Sequence, residues 1–344
     1  AYAQEPIEKI PAPKNGPAYG GDDLVVFETP GAGALVYVEA DFLYWWVKHG
    51  PAPILLTSAP DNGRNINGLT GGILGEPGTV VLFTGRDLEY GGISGARAKA
   101  GSHMGRDGFW TFEAGGFLLP KRTINFGTAG RADGTPLLTI PFLDAATGSL
   151  SSLDVNAQDA VGNPYLIGNI AIQSDLQVWG YEFNMIAHSI RTPERSFDMV
   201  MGFRSLGLDE NVRIDQTVVP TLDGNITLQF PTTGQGAAFY YNVLANSPVT
   251  IVDRFSTRNQ FYGPQIGGRF SWVRGAFAAD LNLKIAVGVT HQQATIDGSS
   301  TAGLAQDPNT GAVLANPTTP GGVFALRNNS GSFSQNQFTV VPEA

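Results

Sequence analysis

AFAADLNLKIAVGVT, residues 276–290, carries an apolar side chain at every odd position: Phe277, Ala279, Leu281, Leu283, Ile285, Val287 and Val289. Its even positions include Asp280, Asn282, Lys284, Ala286 and Gly288. A two-residue period sends successive side chains to opposite faces of a β-strand. Seven apolar residues in one phase make a strand of roughly fourteen residues, about twice the usual globular length. Such a strand suits a tilted barrel with an apolar outside and a polar inside.

The same period recurs along the chain. Over residues 37–47, Val38, Ala40, Phe42, Tyr44 and Trp46 share one face, while the other opens with Glu39 and Asp41. An apolar face ending in aromatics fits a lipid-facing side with an interfacial girdle. Residues 109–119 set Trp110, Phe112, Ala114 and Leu118 against Thr111, Glu113 and Gly115. Residues 197–205 set Phe197, Met199, Met201 and Phe203 against Asp198, Val200, Gly202 and Arg204, and residues 262–272 set Ile266, Phe270 and Trp272 against Gln265, Gly267, Arg269 and Ser271. Around residues 170–186 the apolar phase switches, from Ile170, Ile172, Leu176 and Val178 to Trp179, Tyr181, Phe183 and Met185. The expected cause is a bulge or turn near Trp179 that changes the exposed face.

Composition agrees with this architecture. Only 15% of the 344 residues are charged, below the quarter usual for soluble domains, and 44 Gly with 22 Pro suit many strands joined by turns. No stretch approaches the eighteen or so apolar residues a spanning helix requires, whereas a barrel strand needs only about ten in alternation. The net charge of −9 argues against a nucleic-acid partner. The absence of cysteine removes disulfides, thiolate metal sites and cysteine nucleophiles. The start, Ala1-Tyr2-Ala3, has the form left near a signal-peptidase site. Residues 1–34 are Pro/Gly-rich and aperiodic and read as an exported arm, with the barrel over 35–344. Residues 122–169, 209–253 and 295–332 are polar and rich in Gly, Asn, Thr and Pro, and read as long loops. Residues 272–276 are a tight hairpin connection, giving short turns on one side and long loops on the other.

Several phrases resemble the beta-barrel porin-7 family of bacterial outer-membrane proteins. They are ADFLYWWVKHGPAPILLTSAP (40–60), MVMGFRSLGLDENVRI (199–214), DRFSTRNQFYGPQIGGRFSWVRGAFAADLNLKIAVGVTH (253–291) and SGSFSQNQFTVVPE (330–343). Together they cover roughly a third of the chain in family order. The resemblance implies location in the outer membrane and a barrel, and it carries over no catalytic residues. It also implies further strands after the VVPE phrase, so the chain is expected to lack the family's last C-terminal strands.

Ten charged residues fall on the polar phase of candidate strands: Glu39, Asp41, Arg97, Lys99, Glu113, Glu182, Arg204, Arg269, Asp280 and Lys284. In a narrow barrel they pair across the lumen and close it; in a wider one they line a wet channel and set ion preference. The expected lipid-facing and girdle residues are Phe42, Tyr44, Trp46, Trp110, Phe112, Trp272, Phe277, Leu281, Leu283, Ile285 and Val287. His49, His103, His188 and His291 lack metal-site spacing and read as scattered surface residues. Ser189 beside His188 is an adjacent nucleophile–base pair, but strand neighbours point apart, so no catalysis is expected. Asp209-Glu210 and Gly21-Asp22-Asp23 offer calcium-type oxygens without EF-hand spacing, and ordinary solvated turns are the favoured reading.

The fold class expected is therefore all-β: a transmembrane antiparallel up-and-down barrel of about 8–12 strands. Three functions follow from it or compete with it. A porin passes small hydrophilic solutes by diffusion. A structural surface barrel has a plugged lumen, and its loops mediate adhesion or packing with neighbours. A secreted β-sandwich binding glycans places its aromatics in loops, whereas Trp45, Trp46, Trp110, Trp179 and Trp272 all fall in or beside strands. No cofactor or resident metal is expected. The expected partners are outer-membrane lipids, then a second copy or other cell-envelope proteins.

Overall fold

The computed structural model describes residues 25–28, 35–47, 53–59, 71–104, 109–144, 147–159, 161–230, 239–275 and 277–344. Ala1-Tyr2-Ala3, Gly21-Asp22-Asp23 and His49 lie outside the described residues. The first strands are β1 (Val25–Glu28), β2 (Leu35–Trp46), β3 (Leu56–Ala59), β4 (Val80–Phe83), β5 (Gly92–Met104) and β6 (Trp110–Ala129). Then come β7 (Leu137–Leu143), β8 (Leu150–Gln158), β9 (Pro164–Arg191), β10 (Arg195–Pro220), β11 (Thr227–Phe230) and β12 (Phe239–Val243). The chain continues with β13 (Val249–Arg274), β14 (Phe277–Ala302), β15 (Leu304–Gln306), β16 (Val313–Ala315), β17 (Thr318–Pro320) and β18 (Gly331–Glu343).

The protein is all-β, with every pairing antiparallel. The principal sheet runs β1-β2-β5-β6-β9-β10-β13-β14, and β17 and β18 share the far edge of β14. β3, β4, β7 and β8 form a branch that joins β9 through β8, and β11, β12, β15 and β16 make a separate small sheet. Among the described residues no ladder joins β2 to β18, so the sheet is an open path. It nevertheless curls strongly, because side chains of β2, β6 and β13 meet on its concave face. The β13–β14 hairpin expected at 272–276 is present: Arg274 pairs with Phe277, and Gly275 takes a φ of 63°. A positive φ at this position is what a two-residue hairpin turn requires.

Along each long strand one face stays inward while its chemistry inverts. On β14, Leu281, Leu283, Ile285, Val287 and Val289 are exposed on the outer face, and Lys284, Ala286 and Thr290 are buried on the inner one. Beyond Val289 the outer face becomes His291, Gln293, Thr295 and Asp297, and the inner face includes Ala294, Ile296 and Ala302. On β10 the outer series Phe197, Met199, Met201, Phe203 gives way to Ser205, Gly207, Asp209, Asn211 and Arg213. Its inner series passes from Asp198, Val200, Gly202 and Arg204 to the mainly apolar Leu206, Leu208, Glu210, Val212, Ile214, Gln216 and Val218. The changeovers are register neighbours: Ser205 pairs with both Tyr181 and Tyr262, Tyr262 with Val289, and Val289 with Phe338.

This inversion corrects the expected bulge in residues 170–186. β9 is continuous, and its even positions face inward from Leu166 to Asn184. Ile170, Ile172 and Leu176 are apolar inside, whereas Trp179, Tyr181 and Phe183 are apolar outside, because the surroundings of the strand change along its length. The irregularity lies in the neighbouring strand: Leu119 pairs with Val178 and Arg122 with Leu176, leaving an extra residue in β6 at Pro120-Lys121.

The segments expected as long loops are corrected too. Much of 122–169, 209–253 and 295–332 is strand, since β6, β9, β10, β13 and β14 continue past the inversion and the short strands β7, β8, β11, β12, β15, β16 and β17 fall in the same segments. Their inner apolar residues build the main core. Leu56, Phe83, Leu138, Ile140 and Val155 of the branch pack against Ile170, Ile172, Ile214 and Val218 of the long strands.

Asp253 secures the segment between β17 and β18. It is buried, and its carboxylate accepts the backbone N–H groups of Val323, Phe324 and Ala325 at 3.1, 3.1 and 2.7 Å. Burial raises its pKa above the ordinary carboxylate range, against the lowering effect of those three bonds. The native state thus holds a proton at Asp253 more tightly than the unfolded chain does. The proton-linked part of its stabilisation is present below the unfolded pKa and is lost as pH rises through the native one, while its three backbone hydrogen bonds persist. Asp253→Ala is expected to cost about 3 kcal/mol at neutral pH by orphaning buried donors. It should also flatten this part of the pH profile, as read by urea unfolding at a series of pH values.

Candidate functional site

The charged inner residues meet as a belt across the concave face. Neighbouring strands supply two register pairs, Glu39 with Lys99 at 2.9 Å and Asp41 with Arg97 at 2.7 Å. Each is a cross-strand pair between β2 and β5, the closest side-chain relation in a sheet. Longer reaches cross the interior. Arg269 of β13 donates through Nη2 and Nη1 to Glu113 of β6 at 2.6 and 3.2 Å, and Tyr37 of β2 donates its hydroxyl to the same carboxylate at 2.7 Å. Tyr37 lies across Gly101, where any side chain would displace its ring.

A second knot centres on Glu182 of β9. Lys284 of β14 donates to both its oxygens at 2.9 Å, Gln265 of β13 donates at 3.0 Å, and Arg204 of β10 lies at 3.2 Å. Glu343 of β18 closes the knot by pairing with Lys284 at 3.2 Å and with Arg204. The side chains of Glu113 and Lys284 are only 2% and 3% exposed, so each charge depends on its partners. Five cations, Arg97, Lys99, Arg204, Arg269 and Lys284, thus pair with five carboxylates, Glu39, Asp41, Glu113, Glu182 and Glu343.

Nine of the ten charges expected on the polar phase stand in this belt. Asp280 does not: it is exposed beside the β13–β14 hairpin. Glu343 was not among the expected residues, although it shares its strand face with Thr339 and Val341 and faces Lys284 in register. Extending the alternation to the end of the VVPE phrase would have found it. Of the expected outer residues, Phe42, Tyr44, Trp46, Trp110, Phe112, Phe277, Leu281, Leu283, Ile285 and Val287 are exposed, and Trp272 is half-buried.

The histidines require a correction. His103 and His188 are not scattered on the surface: Thr111 Oγ1 lies 2.6 Å from His103 Nδ1 and 2.8 Å from His188 Nε2. His188 Nδ1 lies 2.8 Å from Asp198 Oδ1, and Arg191 also reaches that ring. Strands β5, β6, β9 and β10 bring these residues together from distant positions, which spacing within the sequence does not reveal. An Asp–His–Thr order resembles a nucleophile relay. Here, however, Thr111 is enclosed and its hydroxyl is also held by the second histidine. His291 bonds Asn336 at 2.8 Å on the outer surface, and Ser189 is turned to the backbone oxygen of Ala187.

Asp209 and Glu210 are not in a turn but inside β10, so their side chains leave opposite faces of the strand. Asp209 pairs with Arg258 at 3.0 Å and accepts from Trp179 Nε1 at 3.3 Å, while Glu210 accepts from Thr257 at 3.4 Å. They cannot present a shared calcium site. Among the described residues no group of three or more His, Asp or Glu is placed to hold a metal ion.

No curated protein and no solved structure matches this chain. The profile of the family described as "Putative beta barrel porin-7" matches residues 37–344. That span takes in every strand from the aromatic face of β2 to the belt carboxylate of β18, and the chain belongs to the beta barrel porin-7 family.

Proposed function

We propose that the chain is exported to the bacterial outer membrane, inserts there as a β-barrel, and offers its polar interior as a narrow passage for small hydrophilic solutes. The polarity inversion carries this reading. From Phe277 to Val289 the outer positions of β14 are apolar without a break, and beyond Val289 they are polar. Thirteen residues of strand extend about 40 Å, and a tilt near 40° reduces that to about 30 Å of height. That height matches the hydrocarbon layer of a bilayer. Beyond it, water surrounds the strands and their apolar residues turn inward, as in any soluble domain. The belt lies inside the apolar band, where its opposed charges would limit the size and charge of what passes.

The second reading, a plugged scaffold displaying its loops for adhesion or packing with neighbours, also has an observation in its favour. The belt's ion pairs cross the concave face, and the apolar core around Ile170 and Ile214 packs on the same inner side of the long strands. Planar-bilayer recording on the full chain separates the two. Passage requires stable conductance steps, larger in the Glu113→Ala/Arg269→Ala variant, which removes a cross-interior bridge. Silence from both proteins removes the passage and leaves the scaffold.

A further inference from the structure

A cavity of about 730 Å³ lies where the charged belt meets the inward-facing apolar residues. That is the size of a small-molecule site, for which an apolar wall with a few convergent polar groups is the common pattern. Its apolar side includes Trp45, Phe117, Leu206, Leu208 and Phe261, and the Trp45 and Phe117 rings pack at 4.9 Å between centroids. Its polar side carries Arg97, Lys99, Arg204, Arg269 and Lys284 against two carboxylates, Glu182 and Glu343. The partners of the other three cations, Asp41, Glu39 and Glu113, are not on the cavity wall. Each of these cations already faces a belt carboxylate, so an occupant meets paired charges together with the donors those pairs leave open. Arg97 gives Nε to Asp41, and among the described residues its guanidinium makes no other bond, with its side chain 41% exposed.

We propose that this cavity binds a monocarboxylate carrying a short apolar tail. The carboxylate accepts from the free edge of Arg97, a planar fork suited to paired donation, with Lys99 adjoining. The tail lies against Trp45, Phe117 and Leu206. A cation would meet the unbonded N–H edge of Arg97, and a tail-less acid would leave the apolar wall wet. The inference rests on the solute-accessible interior proposed above, but it needs entry only and not passage through the barrel.

The test uses the full chain in nanodiscs of zwitterionic lipid, with tryptophan fluorescence as readout. Sodium hexanoate should give a saturable change at least tenfold tighter than acetate, and hexyltrimethylammonium none. Trp45→Phe should remove most of the signal. Arg97→Gln should weaken hexanoate at least tenfold while Arg97→Lys retains part of the affinity, and Lys99→Gln serves as a second variant should Arg97→Gln not refold. An equal response to hexanoate and the ammonium compound, or hexanoate binding unchanged in the Gln variants, overturns the site. Saturable hexanoate binding by a protein that never conducts would overturn the passage and leave the site standing. Conductance without saturable binding would do the reverse.

Discussion

Glu113→Leu is expected to destabilise the folded protein by about 3–5 kcal/mol, the usual consequence of removing one partner from a buried ion pair. The carboxylate is held by two guanidinium nitrogens of Arg269 and the Tyr37 hydroxyl, and it is the link between β6 and β13 across the concave face. Its loss leaves Arg269 without a counter-charge in an enclosed place. The double variant Glu113→Leu/Arg269→Met should recover much of the loss, because both charges then avoid desolvation. Urea unfolding of the refolded protein in detergent, followed by tryptophan fluorescence, measures both. A cost below about 1 kcal/mol for Glu113→Leu would mean that water already reaches Arg269. The belt would then be an open, hydrated constriction rather than a dry one, and the passage reading would gain at the expense of the plug.

On the outer face, Ile285→Arg should cost about 2–4 kcal/mol in lipid vesicles, as a cation near the bilayer midplane does on a barrel. Gln293→Arg, on the same face of the same strand, should change stability by no more than about 0.5 kcal/mol, the scale of ordinary surface substitutions. Ile285 lies within the apolar run and Gln293 beyond its end at Val289. The two substitutions add the same side chain, so the contrast isolates what surrounds each position. Equal costs at both would place the whole strand in one solvent and remove the membrane reading. In a detergent of short chain length the Ile285→Arg cost should shrink while that of Gln293→Arg stays unchanged.

The two-residue period of 276–290 determined an antiparallel all-β fold with a long apolar face, and the phase of each strand determined which charges share the opposite face. Those features are local, since the strand pleat alone separates Leu283 from Lys284. The same rule hid the continuation of the long strands beyond the inversion. Past Ser205 and Val289 the alternation persists with its chemistry reversed, so strands with Ser, Gly, Asp and Asn outward read as loops, and the reversal in β9 read as a bulge. Only the tertiary structure decided who faces whom. Glu113 meets Arg269 over 156 residues of sequence because the sheet curls and sets β6 opposite β13, and His103 meets His188 through Thr111 because strand order places β5 and β9 on either side of β6. A pleat fixes the direction of a side chain within its own strand. Curvature, a property of the whole sheet, fixes what stands on the other side.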